Sequence, residues 1–244
     1  MSGIPRPHRH TIYFLDNIRE IAPVFLGTDI DMSAVLAHRR AAKHSIVTYV
    51  LWCAARVLAA HPDANVALRG RRMVRYDTVA GKFTFDKMMS GRRVVLSTVL
   101  PDLDRESLTG IQRQVERFRD GDPDTMPEFA SLRRLHRAPM PLGGLLYRLA
   151  VRPLRQRIRR MGTFAVTSLG HRPVDGFYSV GGTTLTIGLG RSTDRPVVRD
   201  GEIVVAPVMR LSLTFDHRAI DGAEAADILA DLKQSLEHFK DPHE

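Results

Sequence analysis

Cysteine is nearly absent from the sequence: Cys53 is the single one among 244 residues. One cysteine excludes an internal disulfide framework and is typical of a reducing compartment, so we expect a cytoplasmic protein. Cys53 lies in the apolar stretch SIVTYVLWCAARVLAA, which has the pattern of a helix. Because free cysteines are usually buried, we expect Cys53 to pack in the core and not to act as a nucleophile.

Long hydrophobic runs are missing as well. No stretch approaches the ~20 apolar residues that cross a bilayer, so no integral membrane segment is expected. The opening residues MSGIPRPHRHTIYF lack the apolar region of a secretion signal. The sequence contains no G-x-G-x-x-G motif, phosphate loop or zinc-ligand spacing, and we therefore expect no tightly bound cofactor and no metal.

Acidic residues are absent from one long segment, residues 129–174, which carries about the whole net charge of +9. Lysines are few throughout the chain, so its basic groups are mostly guanidiniums, which pair bidentately with phosphate and carboxylate. The segment is either a solvated basic face or a docking surface for a phosphorylated cofactor or an acidic carrier protein. A nucleic-acid partner is not expected, because no aromatic interleaving accompanies the arginines. The arginines of the segment are Arg133, Arg134, Arg137, Arg148, Arg152, Arg155, Arg157, Arg159, Arg160 and Arg172.

Strand and helix patterns alternate along the first half of the chain. The stretch PVFLGTDIDMSAV predicts a strand that runs into a helix capped by Asp31 or Ser33. HSIVTYVLWCAARVLAAHPDANVAL predicts an apolar helix that stops at His-Pro-Asp. KFTFDKMMSGRRVVLSTVL predicts two strands joined at Ser90 and Gly91, with a helix following at about 105–118.

The last third is rich in strand patterns and ends in a predicted helix at about 219–239. No βαβ period, internal repeat or low-complexity tract occurs, so the patterns indicate one mixed α/β (α+β) domain over residues 1–244. Within it we expect a basic N-terminal arm at 1–12 and an arginine-rich insertion at about 130–160.

Four leucines of the insertion share one face of a predicted helix. Such a basic amphipathic helix can lie on a membrane or on a partner protein. The apolar stretch is short and Pro153 interrupts it, which favours packing on the domain instead. The four are Leu142, Leu145, Leu146 and Leu149.

One of the ten histidines is a candidate for catalysis. The stretch LTFDHRAIDGAEAADIL (residues 213–229) is a strand-like run that ends in Asp-His-Arg and then opens a helix. His217 lies at this junction, and Asp221 and Gly222 follow it. Imidazole has the near-neutral pKa that a general base requires, and glycine at 222 would allow a tight turn into the helix.

This C-terminal stretch resembles the catalytic domain of the dihydrolipoyl acyltransferases of 2-oxoacid dehydrogenase complexes. MRLSLTFDHRAIDGAEAADILADLKQSLE has their D-H-R-x-x-D-G motif, and GTFAVTSLG is similar to a second family segment that precedes it. The resemblance is close over the last eighty residues and loose before them. It implies a chloramphenicol acetyltransferase-like fold: a mixed sheet flanked by helices, assembled as a homotrimer with active sites between subunits.

The resemblance also implies roles for individual residues. His217 matches the general base that deprotonates the attacking thiol or hydroxyl. Thr167 matches the family's serine or threonine, whose hydroxyl donates to the oxyanion of the tetrahedral intermediate. Asp221 matches the acid that orders the loop, usually through an arginine, and Arg9 is its predicted partner here.

The surroundings of these residues differ from the family pattern. The sequence shows no lipoyl domain, no subunit-binding domain and no linker, and the family's basic opening motif survives at best as RHTIYF. We therefore expect an acyltransferase that moves an acyl group, acetyl in the first instance, from acyl-CoA as co-substrate to a small-molecule hydroxyl, amine or thiol. The alternatives are a dihydrolipoyl acyltransferase core that acts on lipoyl domains of a separate protein, and a catalytically silent trimeric scaffold.

Overall fold

Six strands form one mixed sheet, and two more form a separate hairpin, in the computed structural model, which describes residues 4–241. The strands in chain order are β1 (Pro23–Asp31), β2 (Val66–Arg69), β3 (Arg72–Arg75), β4 (Gly81–Met89), β5 (Arg92–Leu100), β6 (Phe164–Ser168), β7 (Leu185–Arg199) and β8 (Glu202–Asp216). The sheet has the order β1-β8-β7-β6-β4-β5. Strand β6 runs parallel to both of its neighbours, and the other pairs are antiparallel. The predicted mixed sheet is confirmed.

The helices flank this sheet, as predicted. They are α1 (Arg9–Asn17), α2 (Ser33–Ala42), α3 (Ile46–Ala60), α4 (Leu108–Asp120), α5 (Ala130–Arg137), α6 (Met140–Val151), α7 (Leu154–Met161) and α8 (Gly222–Glu237). Helices α3 and α8 pack against each other and against the sheet, with α2 and α4 beside them. The four N-terminal and arginine-rich helices α1, α5, α6 and α7 form a second group that meets the β2–β3 hairpin and the end of β5.

Helix α3 forms where the apolar pattern predicts it. The Ser45 hydroxyl accepts the backbone N–H of Thr48, which satisfies one of the free donors at the helix start. The helix ends before the His61–Pro62 pair because proline cannot continue the hydrogen-bond ladder. Cys53 is completely buried, and burial raises the pKa of its thiol to about 12. The prediction that Cys53 is a packing residue is confirmed.

Strands β7 and β8 form a long hairpin that runs through the centre of the sheet. Asp200 and Gly201 both adopt positive φ at its turn, which matches the right-handed twist of the paired strands. The half of the hairpin next to β1 and β6 is almost entirely buried. The other half extends outward and leaves Val198, Ile203 and Val205 exposed.

The N-terminal segment is helical where an arm was predicted. Residues 6–8 form a 3-10 turn that leads into α1, whereas residues 1–3 of the predicted arm lie outside the described part of the chain. Tyr13 of α1 is 4% exposed and lies against Gly143 of α6. Burial of this aromatic ring holds the segment on the domain.

The arginine-rich segment forms three short helices, α5 to α7. Gly143 brings α6 close to Tyr13, so α6 docks through its glycine face. The predicted packing of the leucine face is therefore wrong: all four leucines point outward and are 46–61% exposed. They are Leu142, Leu145, Leu146 and Leu149.

Glycine is needed at Gly188 and not at Gly222, where the sequence suggested it. A β-carbon at position 222 would meet nothing within 4 Å, and no positive φ occurs there. A β-carbon at Gly188 would overlap the Phe177 carbonyl oxygen and the Ser212 hydroxyl. The loop at Phe177 thus rests directly on β7.

We expect Gly188→Ala to lower the free energy of unfolding by about 1–3 kcal/mol, because the added methyl group must displace backbone atoms. Gly222→Ala is the matched control and should leave stability unchanged or slightly raised, since alanine favours a helical first turn. Urea unfolding of the two variants beside the wild type measures both changes. Equal midpoints for the two variants would contradict the close packing at Gly188.

Candidate functional site

The Asp-His-Arg motif lies at the point where β8 ends. His217 is the first residue beyond the strand, and its backbone N–H donates to the Ala22 carbonyl at 2.9 Å. Its ring packs against Phe215, with centroids 5.6 Å apart. Half of the His217 side chain is exposed, so the imidazole is fixed at one side and open to a reactant on the other.

The neighbouring Asp216 and Arg218 hold this turn in place. Asp216 is 5% exposed, and the Arg218 guanidinium donates to both of its carboxylate oxygens, at 2.9 and 2.7 Å. The backbone N–H groups of Ala22 and Arg218 add two further bonds to the same carboxylate. Burial favours the neutral acid, but these hydrogen bonds outweigh it and hold the pKa of Asp216 below its ordinary value.

Asp221 occupies the N-cap position of α8 and is 91% exposed. One carboxylate oxygen lies 3.8 Å from Nδ1 of His217. The predicted pairing of Asp221 with Arg9 is wrong within the chain: the Arg9 guanidinium donates to the carbonyls of His136 and Ala138. The acid–arginine pair that orders the loop is formed inside the motif itself, by Asp216 and Arg218.

Thr167 lies on β6 and is partly buried. Its hydroxyl oxygen accepts a hydrogen bond from the Thr84 hydroxyl at 3.0 Å. The Thr167 proton is therefore left to donate elsewhere, as an oxyanion-stabilising hydroxyl must.

The structure does not bring Thr167 and His217 together within one chain. Thr167 pairs with Gly188 on β7, and Gly188 pairs with Ser212 on β8. His217 follows Ser212 by five residues, which corresponds to about 17 Å along the strand. His217 therefore lies beyond the end of β8, whereas Thr167 is level with Ser212 in the interior of the sheet.

A cavity of about 760 Å³ lies beside the His217 turn, between α1, α6, β2 and the end of β8. Asp216 and Arg218 line it, whereas His217 itself does not. Its lining is rich in guanidinium groups, which come from both inside and outside the arginine-rich segment. They belong to Arg19, Arg69, Arg148, Arg152, Arg157 and Arg218.

Sequence patterns did not single out Lys82, a lysine inside the sheet. Lys82 is 4% exposed, and its Nζ donates to the Gly181 carbonyl. Burial and the nearby Arg157 lower the pKa of this amine to about 7. One sequence signal for a buried lysine exists: Lys82 begins the apolar strand pattern KFTF, in which two phenylalanines flank a threonine.

Residues 153–243 match the model of the family described as 2-oxoacid dehydrogenases acyltransferase (catalytic domain). The dihydrolipoyllysine-residue acetyltransferase component of the Bacillus subtilis pyruvate dehydrogenase complex is 56% identical over 50 residues. That match covers 20% of this chain and 11% of the relative. The resemblance to this family that the sequence indicated is confirmed.

Solved structures share the fold over almost the whole chain. A dihydrolipoamide acetyltransferase from Azotobacter vinelandii superposes with a TM-score of 0.74 at 19% identity, covering 98% of this chain and 92% of the other. A chloramphenicol acetyltransferase superposes with a TM-score of 0.55 at 15% identity, covering 97% and 95%. The predicted chloramphenicol acetyltransferase-like fold is therefore confirmed.

The helices and the potential metal ligands of residues 4–241 complete the description of the chain. No helix in this part is both long and apolar enough to cross a membrane. The same residues contain no group of three or more His, Cys, Asp or Glu side chains placed to hold a metal ion.

We expect Asp216→Asn to lower the free energy of unfolding at pH 7 by about 1–3 kcal/mol, because the Arg218 guanidinium loses its charged partner. The lowered pKa means that ionised Asp216 stabilises the fold above the ordinary carboxyl pKa of about 3.9, and that this contribution disappears as the pH falls through the folded-state value. The difference between wild type and variant should therefore shrink below about pH 4.

Denaturant unfolding at several pH values measures this difference. Asp221→Asn is the control, since Asp221 is 91% exposed and its removal should cost little. A difference between wild type and Asp216→Asn that is the same at pH 3 and pH 7 would contradict the assignment.

Proposed function

We propose that the protein is an acyltransferase that exchanges an acyl group between coenzyme A and a dihydrolipoyl group. The observation that carries this proposal is the turn at His217, at the end of β8. The Asp216–Arg218 ion pair holds this turn in place, and the turn lies within the segment that matches the acyltransferase family. The full-length fold similarity to a dihydrolipoamide acetyltransferase supports it. Acetyl is the proposed acyl group, after the acetyltransferase relatives.

The spacing of the candidate residues supports their roles. The Azotobacter vinelandii structure addresses a serine, a histidine and an asparagine in that enzyme's mechanism, with the serine 52 residues before the histidine and the asparagine four after it. Here Thr167 lies 50 residues before His217, and Asp221 lies four after it. Threonine retains the hydroxyl of serine, and aspartate retains the side-chain carbonyl of asparagine.

The proposed chemistry follows from these groups. A nitrogen of the exposed His217 ring removes the proton from the acceptor thiol, and the resulting thiolate attacks the thioester carbonyl of acyl-CoA. The Thr167 hydroxyl donates to the oxyanion of the tetrahedral intermediate. When the intermediate collapses, coenzyme A leaves as its thiolate and takes the proton back from His217. A carboxylate oxygen of Asp221 lies 3.8 Å from Nδ1 of the imidazole that carries the proton between these two steps.

The sequence predicts a small-molecule acceptor, whereas the named relatives of the chain favour a dihydrolipoyl group. The relatives are named for a dihydrolipoyllysine residue, which is carried by a protein. We therefore propose lipoyl domains as partners. A small hydroxyl, amine or thiol is the second candidate, because α6 lies outside the segment that matches the family and lines the cavity beside the His217 turn.

We propose that the complete site is formed between copies of the chain. Thr167 and His217 lie about 17 Å apart along the sheet, too far for both to touch one carbonyl group. A second copy that presents its Thr167 to the first copy's His217 removes this gap. A homotrimer, as the family resemblance implies, contains three such interfaces.

We expect His217→Ala to slow acyl transfer by about 10²–10⁴-fold, since the general base is lost. Thr167→Ala should lower kcat by about 10²–10³-fold, whereas Thr167→Ser should retain most activity because the donor hydroxyl remains. Release of coenzyme A from acetyl-CoA in the presence of dihydrolipoamide measures the rates. His238→Ala, at an exposed position after α8, is the control.

The acceptor that supports turnover distinguishes the candidate functions. Turnover with dihydrolipoamide supports the lipoyl assignment, and turnover with small alcohols, amines or thiols alone supports the second candidate. No turnover with any acceptor would support the catalytically silent scaffold. Wild-type rates in His217→Ala would contradict the proposed base.

Mixing inactive His217→Ala and Thr167→Ala proteins should restore part of the activity. If each site takes His217 from one copy and Thr167 from another, a mixed assembly contains interfaces at which both residues are intact. Activity is measured after subunits have been exchanged by dilution and reassembly, with exchange followed by mass spectrometry of isotopically labelled chains. Proven exchange without recovery would place the whole site within one chain.

A further inference from the structure

The cavity beside the His217 turn collects arginines from separate parts of the chain. Arg69 comes from β2, Arg148 from α6 and Arg157 from α7, while Arg152 lies at the end of α6. Arg218, next to the catalytic histidine, completes the set. Residues so distant in sequence meet here only because the fold places α6, α7 and β2 against the end of β8.

The carboxylates that line the cavity are already engaged. Asp16 is bound by Arg19 at 2.8 Å, and Asp216 by Arg218 at 2.7 Å. Glu20 also lies 4.0 Å from Arg218. The carboxylates of the lining therefore face Arg19 and Arg218.

Four guanidiniums of the cavity have no ion pair with any carboxylate of residues 4–241. Two of them are bound to backbone carbonyls: Arg69 donates to Arg152 at 3.2 Å, and Arg157 donates to Gly182 at 2.9 Å. A carbonyl satisfies a donor and leaves the positive charge uncompensated. The four are Arg69, Arg148, Arg152 and Arg157.

These uncompensated charges repel one another. Desolvation, with repulsion from Arg148 and Arg69, lowers the pKa of Arg152, while Glu20 acts in the opposite direction. Burial lowers the pKa of Arg157; Tyr76 and Tyr147 oppose this effect, and Arg69 and Arg218 add to it. Burial, together with repulsion from Arg157, also lowers the pKa of the nearby Lys82 amine to about 7. A bound anion relieves this repulsion.

We propose that this cavity binds the phosphate groups of a phosphate-bearing ligand beside His217. Guanidiniums donate to phosphate oxygens in pairs, and a phosphate ester offers more acceptor oxygens and charge than one carboxylate. The four uncompensated arginines fit a ligand with two or more phosphates better than a single acid group. Phosphate binding by the cavity does not depend on the proposed function. The inference rests on the proposed acyltransferase function only in naming the substrate that carries the phosphates, which is either the coenzyme A donor or a phosphorylated acceptor.

The arginine-rich segment thus has two kinds of residue. Arg148, Arg152 and Arg157 face the cavity, whereas Arg155 and Arg160 lie outside its lining. Arg157 is a poor probe, because it ties α7 to the Val151 and Gly182 carbonyls. Arg148 is exposed and Arg152 partly exposed, so both can be replaced with little effect on folding.

Binding of inorganic pyrophosphate, measured by titration calorimetry, tests the cavity without any need for catalysis. The double variant Arg148→Gln/Arg152→Gln should weaken binding at least tenfold. Arg155→Gln/Arg160→Gln removes the same charge from the same segment and should leave the affinity within twofold of wild type. Circular dichroism verifies that both proteins are folded, and the single variant Arg148→Gln should give an intermediate loss.

Equal losses of pyrophosphate affinity in the cavity variant and the control would mean that binding depends on net charge alone, which would overturn the proposal. Absence of pyrophosphate binding to the wild type would overturn it as well. Neither result depends on acyl transfer, so failure of the cavity proposal is distinguishable from failure of the proposed function.

Kinetics with two donors identify the source of the phosphates. Acetyl-pantetheine lacks the phosphates of acetyl-CoA and retains its thioester. If the donor occupies the cavity, the double variant should raise KM for acetyl-CoA at least tenfold more than KM for acetyl-pantetheine. If both constants change alike while pyrophosphate binding is lost, the cavity takes a phosphorylated acceptor.

Discussion

The antiparallel register of β7 and β8 is the constraint on which the arrangement of the site depends. Ser212 on β8 pairs with Gly188 on β7, and Gly188 pairs with Thr167 on β6. Thr167 is therefore level with Ser212, and the end of β8 lies far from its hydroxyl. This register allows no small adjustment, because a shift by one residue would exchange the apolar face of β8 (Leu211, Leu213, Phe215) with its polar face (Ser212, Thr214, Asp216), and both faces are buried here. The distance between the histidine and the threonine is therefore a property of the sheet and not of a mobile loop.

Much of the fold could be predicted from the sequence, because its signals are local. The Ser45 cap, the apolar face of α3 and the stop at His61 all act within one helix, and the structure confirms each. The sequence does not predict the hairpin β2–β3, because each strand has only four residues and the side chains of β3 are mostly exposed. The prediction for the leucine face of α6 is wrong because the helix meets Tyr13 through its two glycines, Gly143 and Gly144.

The sequence identifies candidate residues for the site, whereas it does not predict which groups those residues contact. The D-H-R-x-x-D-G pattern pointed to His217, but a pattern does not tell which of two aspartates is buried. Asp216 is buried and bound by Arg218, while Asp221 faces solvent. The cavity was out of reach for the same reason: it depends on β2, α6 and α7 meeting in space, and no sequence spacing relates Arg69 to Arg218.

Burial of the single thiol has a practical consequence for studying assembly. Cys53 is completely buried and its thiol has a raised pKa, so it is protected from maleimide reagents while the fold is intact. A cysteine introduced at the hairpin turn, at Asp200, would then be the one reactive thiol on each folded chain. Spin or fluorescent labels at that position would report distances between copies in the proposed assembly without removal of a native cysteine, which makes its geometry measurable in solution.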